Sequence, residues 1–219
     1  MDYRLSNMMK DDIPTRQKIL LYALEQFSEK GYADTTIRDI AMAVGITSGS
    51  IYSHFSSKEE ILQNMLNDYA KQTAGMFHSI DIVPILQEKP TGEGIAYCIM
   101  SSITPLTDDV YYANLVHLIH QEQHRNNMFG KFVLVRLQET TDFVMRIIAV
   151  LKEMEVIAAD ADVEYCGLLT FSLLYSIPTI YVLNIRQGLS GYTLKDIPPT
   201  LSKMFDAMIQ ANRPATEEA

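Results

Sequence analysis

An all-α fold is what this chain predicts, with three short N-terminal helices followed by a larger helical body, about nine helices in total. Two observations carry that expectation. Apolar residues recur at steps of three and four almost throughout, with little of the strict alternation a half-buried strand requires. The gaps between those runs also hold helix punctuation: hydroxyl residues with an acid three positions on at the starts, glycine at the ends.

Taken in order, residues 15–30 place Ile19, Leu20, Ala23, Leu24 and Phe27 on one face, and Gly31 supplies the stop. Thr36, with Asp39 three residues on, forms an imperfect capping box for a second helix whose inner face is Ile37, Ile40, Ala41 and Val44. Gly45 suits the left-handed residue of a tight turn, and Thr47 caps a third helix. Ser57 with Glu60 is a cleaner S-x-x-E box, opening a fourth helix that runs to about Phe77. Residues 84–94, PILQEKPTGEG, combine proline, glycine and charge and read as a linker. Further helices are expected at about 92–104, 108–124, 128–155, 162–187 and 198–212. Pro105, Asn126–Asn127, residues 158–162 and residues 188–199 punctuate them, and Pro178 should kink the fourth of these five.

Composition narrows the class. A hydrophobic fraction of 47% with 21% charged residues suits a soluble chain with a substantial core. No signal-like N-terminus and no uninterrupted apolar run of about 18 residues is visible, so neither export nor a membrane span is expected. The most apolar candidate, residues 166–185, carries Thr170, Ser172, Ser176, Pro178, Thr179 and Asn184 and reads as a buried helix. Cys98 and Cys166 stand far apart, which fits reduced thiols packed as small hydrophobes in a cytoplasmic protein. Net charge is −9, and to Leu62 seven basic residues face nine acids, so roughly −7 falls on the remainder. Charge alone does not point to nucleic acid.

The segment 36–55 does. Ala41 or Ala43 leaves room where two helices cross, Gly45 permits the turn, and the following helix opens on short polar residues. Thr47, Ser48, Gly49 and Ser50, extended by Tyr52, Ser53 and His54, would let backbone and side chains approach phosphates and base edges. This is the geometry of a helix-turn-helix, although a plain helix hairpin of an all-α protein also uses such caps and such a glycine.

Residues 15–62 resemble the DNA-binding domain of the tetracycline-repressor (TetR) family of bacterial transcription regulators. The matching residues are those from Ile19 to Phe27 with Gly31-Tyr32, then Thr35-Thr36-Ile37, Ile40-Ala41 and Val44-Gly45-Ile46. They continue as Ser50-Ile51-Tyr52, His54-Phe55, Ser57-Lys58-Glu59-Glu60 and Ile61-Leu62. The resemblance implies Ser48, Gly49 and Ser50 in the major groove, and Tyr52 and His54 on backbone or base. It also implies Thr36 at a phosphate where the second helix begins, and Lys58 on another. Phe27, Ile51 and Phe55 are the small core beneath. Many relatives have Lys, Arg or Pro where this chain has Ser48, so the bidentate guanine contact is missing here. Phosphate attraction then falls to Arg38, Lys58 and the arm residues Arg4, Lys10 and Arg16.

By the same resemblance the domains are 1–62, an arm and DNA-binding unit, and 63–219, a ligand-binding and dimerisation unit, with helix 57–77 joining them. Tyr165, Leu169 and Leu173 on one helix and Leu201, Met204, Phe205 and Met208 on the last form stripes suited to a four-helix homodimer interface, or to packing within one subunit. Met100, Tyr111, Tyr112, Met128, Phe132, Phe143, Phe171 and Tyr175 are pocket candidates for an apolar or aromatic effector, or core. His117, His120 and His124 share a helical face at steps of three and four, which suits ligand hydrogen bonding, a polar surface, or a metal.

The expectation is a cytoplasmic dimeric repressor, needing no cofactor and released from a palindromic operator by a small molecule. Two alternatives are a metal-responsive regulator using the histidine face and an enzyme with an accessory DNA-binding domain. Against the enzyme, no phosphate-cradling glycine loop, G-x-S-x-G, H-E-x-x-H or paired-cysteine motif occurs.

Overall fold

The three- and four-residue periodicity folds, in the computed structural model, into ten helices and no strand among the described residues, which are 13–107, 110–187 and 197–214. In chain order they are α1 (Thr15–Lys30), α2 (Ile37–Val44), α3 (Ser48–Tyr52), α4 (Lys58–Ser79), α5 (Ile82–Glu88), α6 (Gly92–Thr107), α7 (Val110–Glu122), α8 (Asn127–Glu153), α9 (Tyr165–Gln187) and α10 (Ile197–Ala211). The arm residues Arg4 and Lys10 and much of the stretch expected between the last two helices lie outside the described residues.

Helix α5 corrects the linker expected at 84–94. Asp81 caps it by accepting from the Val83 amide at 3.3 Å, and Pro84 falls in the first turn, where its missing N–H has no intrahelical acceptor to lose. Helix α6 likewise runs through Pro105 to Thr107 rather than stopping before it.

Packing gathers the chain into two units, Met1–Gln72 with Leu106–Val133 and Thr73–Pro105 with Leu134–Ala219. In the first, the expected α1 face of Ile19, Leu20, Ala23, Leu24 and Phe27 is buried against Ile40, Ala41, Ile51, Phe55, Ile61, Leu62 and Met65. Leu115, Leu118 and Ile119 of α7 and Phe129 of α8 complete that core. Its aromatic members meet edge to face: Tyr32 lies 5.1 Å from Phe27 and 6.0 Å from Phe129 between ring centroids.

The second core joins Leu86 of α5, Ile95, Cys98 and Ile99 of α6, Phe143, Val144, Ile147 and Leu151 of α8, Cys166 of α9, and Leu201 and Phe205 of α10. Both cysteines are buried free thiols, and burial pushes the Cys98 thiol up to about 11, as expected of small core hydrophobes. At two crossings only glycine fits. A Cβ on Gly92 would lie 2.0 Å from the Ser202 carbonyl oxygen of α10, and one on Gly167 would lie 2.7 Å from the Thr141 methyl of α8. Helix α9, expected to be buried, instead exposes Tyr165, Leu168, Leu169, Ser172 and Ser176. No described helix is long and apolar enough to cross a membrane.

Candidate nucleic-acid interface

Helices α2 and α3 are held by local chemistry that the sequence specifies. The capping box at Thr36 is complete: its hydroxyl accepts from the Asp39 amide at 3.1 Å, and Asp39 accepts from the Thr36 amide at 2.9 Å. Hydrogen bonds from the Thr36 hydroxyl and from Lys30, 2.9 Å away, hold the Asp39 carboxyl well below the usual carboxylate range. Gly45 then turns the chain at φ 82°, and its amide bonds back to the Ala41 carbonyl at 3.0 Å. Thr47 caps α3 through the Ser50 amide at 3.1 Å.

From Thr47 to His54 only Ile51 is buried, anchoring the helix on the core, while Thr47, Gly49, Tyr52, Ser53 and His54 are exposed and Ser48 and Ser50 half-exposed. Tyr52, 56% exposed, stands out as an aromatic with no core to fill. Gly49 has no packing reason to be glycine, since an added Cβ would touch only the Thr47 hydroxyl, at 3.6 Å. Helix α3 ends at Tyr52, so Ser53 and His54 belong to the turn after it. Arg38 is exposed on α2, as is Met42, at 74%. Met42 was legible only on a helical wheel, as the apolar residue opposite Ile40 and Val44.

Two of the basic residues expected to attract phosphate, Arg16 and Lys58, have partners within the protein. The Arg16 guanidinium stacks over the Phe55 ring at 4.7 Å and donates to Asn64 at 2.5 Å, bracing α1 on α4. The Lys58 ammonium donates to three backbone carbonyls, those of Tyr32 at 2.7 Å, Ala33 at 3.2 Å and Thr35 at 2.7 Å. It also sits 4.5 Å from the Tyr32 ring centroid. The box opening α4 is displaced by one residue: Ser57 receives the Glu60 amide, but the Glu60 carboxylate accepts from the amide and hydroxyl of Ser56.

The other expected sites divide. Tyr111, Tyr112, Met128 and Phe132 are half-buried in the first unit, where Tyr69 lies 5.7 Å from Tyr112 and 5.5 Å from Phe132 between centroids. Met100 packs on the second core, Phe143 lies within it, and Phe171 stacks on Tyr175 at 5.2 Å in that unit. His117 is buried at 6% exposure, His120 half-buried and His124 exposed, so the shared face does not become a shared environment. Among the described residues no three His, Cys, Asp or Glu side chains gather to hold a metal. At the expected dimer stripe, Leu201, Phe205 and Met208 are buried in their own unit's core. Leu173 and Met204 are partly buried against that core, whereas Tyr165 and Leu169 are exposed, together with Leu168.

A family model described as "Bacterial regulatory proteins, tetR family" matches residues 19–65, the stretch just built. The HTH-type transcriptional repressor KstR2 of Mycolicibacterium smegmatis is 40% identical over 78 residues, 35% of this chain, and the match spans only 38% of that protein's length. UidR, an HTH-type transcriptional regulator of Escherichia coli K12, is 27% identical over 176 residues, covering 79% of this chain and 84% of its own. The crystal structure of AibR in complex with isovaleryl coenzyme A and operator DNA superposes over 88% of this chain and 99% of that one, with a TM-score of 0.62 at 18% identity, a likeness of fold. The capped helix pair and the matched segment agree: residues 19–65 are an N-terminal domain of the tetR family of bacterial regulatory proteins, within a chain whose helical fold AibR shares.

Proposed function

We propose that this protein is a dimeric transcriptional repressor that reads duplex DNA through α3 and leaves it when a small apolar or aromatic molecule binds. The observation that carries the reading is the exposed run from Thr47 to His54, polar but for Tyr52 and the buried Ile51, at the end of a capped helix pair. Small residues there allow close backbone approach to a groove, and Ser48 in place of a cation leaves affinity to phosphates, shape and the pairing of two heads. Thr36 and Arg38 flank that surface on α2.

For the effector, the half-buried aromatics offer the contacts: Tyr111, Tyr112 and Phe132 in one unit, Phe171 and Tyr175 in the other. That a relative of the same fold was crystallised with an acyl coenzyme A and operator DNA supports a small-molecule switch without naming the molecule for this chain. For the homodimer, the exposed strip Tyr165, Leu168 and Leu169 of α9 is the surface that favours self-association. Two-fold pairing would set the two α3 helices on successive major grooves, about 34–36 Å apart or a multiple of that.

The test is selection of duplexes from a random-sequence pool by the intact protein, followed by titration of the enriched duplex over a range of salt. A palindromic site with affinity falling steeply as salt rises is expected. Gly49→Ala should fold with stability equal to or greater than wild type, by roughly 0.5–1 kcal/mol, yet bind the selected duplex at least tenfold more weakly. No enriched duplex, or undiminished binding by the alanine variant, would refute the reading surface.

A further inference from the structure

We infer that Lys58 acts as a positioning residue which fixes the α1–α2 loop and so aims the reading helix, without itself contacting a phosphate. The inference rests on the DNA-reading function proposed above. A lysine ammonium carries three donors and no acceptor, and here three carbonyls, those of Tyr32, Ala33 and Thr35, stand within 3.2 Å of it. Those carbonyls span the loop that ends one residue before the Thr36 cap, so they set where α2 begins and, through the Gly45 turn, where α3 points. The Tyr32 ring beneath the ammonium, 4.5 Å away, supplies a fourth attraction and is itself buried.

The loop is gripped from the other side as well. The Tyr32 amide donates at 3.1 Å to the carboxylate of Glu122, a buried residue of α7, and the Tyr32 ring meets Phe27 and Phe129 edge-on. Turning the ammonium out to a phosphate would strip three carbonyls of their donor and break the ring contact, while gaining one solvent-exposed ion pair. A compact point charge suits three converging oxygens; the flat fork of arginine does not, although it serves a phosphate as well or better.

Three measurements separate pin from phosphate contact. In the free wild-type protein, lysine-selective NMR should show a persistent Lys58 ammonium resonance, displaced by the Tyr32 ring, that stays put when the duplex selected by the wild-type protein is added. Lys58→Met should bind that duplex about tenfold more weakly, with faster amide exchange over residues 31–36 and an unchanged slope of log affinity against log salt. Lys58→Arg should fail to restore affinity. A slope reduced by about 0.9, the value of one lost phosphate, an ammonium signal that moves on adding DNA or is absent beforehand, or full binding by the arginine variant would each overturn the inference. If the wild-type protein enriches no duplex, the DNA-reading function fails, while the ammonium signal in the free protein still decides whether the pin exists.

Discussion

Asp39 shows how much one carboxylate can organise with one partner three residues away and another nine residues away on the preceding helix. It closes the capping box with Thr36 and ties the last residue of α1, Lys30, to the first turn of α2. Its folded-state pKa is depressed by the Thr36 hydroxyl first and Lys30 second, so its contribution is complete above the unfolded value of about 3.9 and fades as pH falls toward the folded one. Asp39→Asn should therefore be less stable than wild type at pH 6, and the gap should narrow as pH drops below about 4. Urea midpoints at pH 6, 4 and 3 would check this; parallel losses for both proteins would count against it. The Thr36–Asp39 pairing was legible because a capping box is a spacing rule. Lys58's acceptors were not, because carbonyls 23 to 26 residues away leave no trace in side-chain pattern, and Glu60 chose Ser56 over the equally suitable Ser57.

Elements were legible where apolar rhythm and capping agreed, as in α1 and α2, and misread where helix breakers stood inside a helix. Pro84 and Pro105 suggested interruptions, yet first-turn placement makes the former harmless and helix α6 carries on through the latter. Gly92, taken as part of a linker, is the point where α6 begins against α10, its amide donating to Asp206 at 2.7 Å. Because the obstructing atom is the Ser202 backbone oxygen rather than a mobile side chain, there is no cheap relaxation for a larger residue. Gly92→Ala should cost about 1–3 kcal/mol or more, seen as a lower thermal midpoint, whereas loss of DNA binding should follow only from loss of fold. A melting curve unchanged from wild type would show that α6 and α10 part easily here.

At the scale of the whole molecule, an amphipathic stripe announces burial but not the identity of what buries it. Residues 201, 204, 205 and 208 and residues 165, 168, 169 and 173 look alike as patterns, yet the first set is largely the protomer's own core and the second is partly open. That difference separates two outcomes. Leu168 and Leu169, 55% and 43% exposed, contribute little to the protomer, so replacing both with glutamate should leave helix content and thermal midpoint near wild type for the monomer. If α9 is the self-association face, the same change places four carboxylates in one interface and should yield a monomer by sedimentation at micromolar concentration. Leu201→Ala, in contrast, should lose about 2–5 kcal/mol of folding stability because Leu201 is fully buried in its own unit. The glutamate pair should also weaken binding to the palindromic duplex far more than to an isolated half-site, since two weak heads gain from linkage only while joined. A double variant that remains dimeric, or that loses full-site and half-site binding equally, would place the partner contact elsewhere than α9.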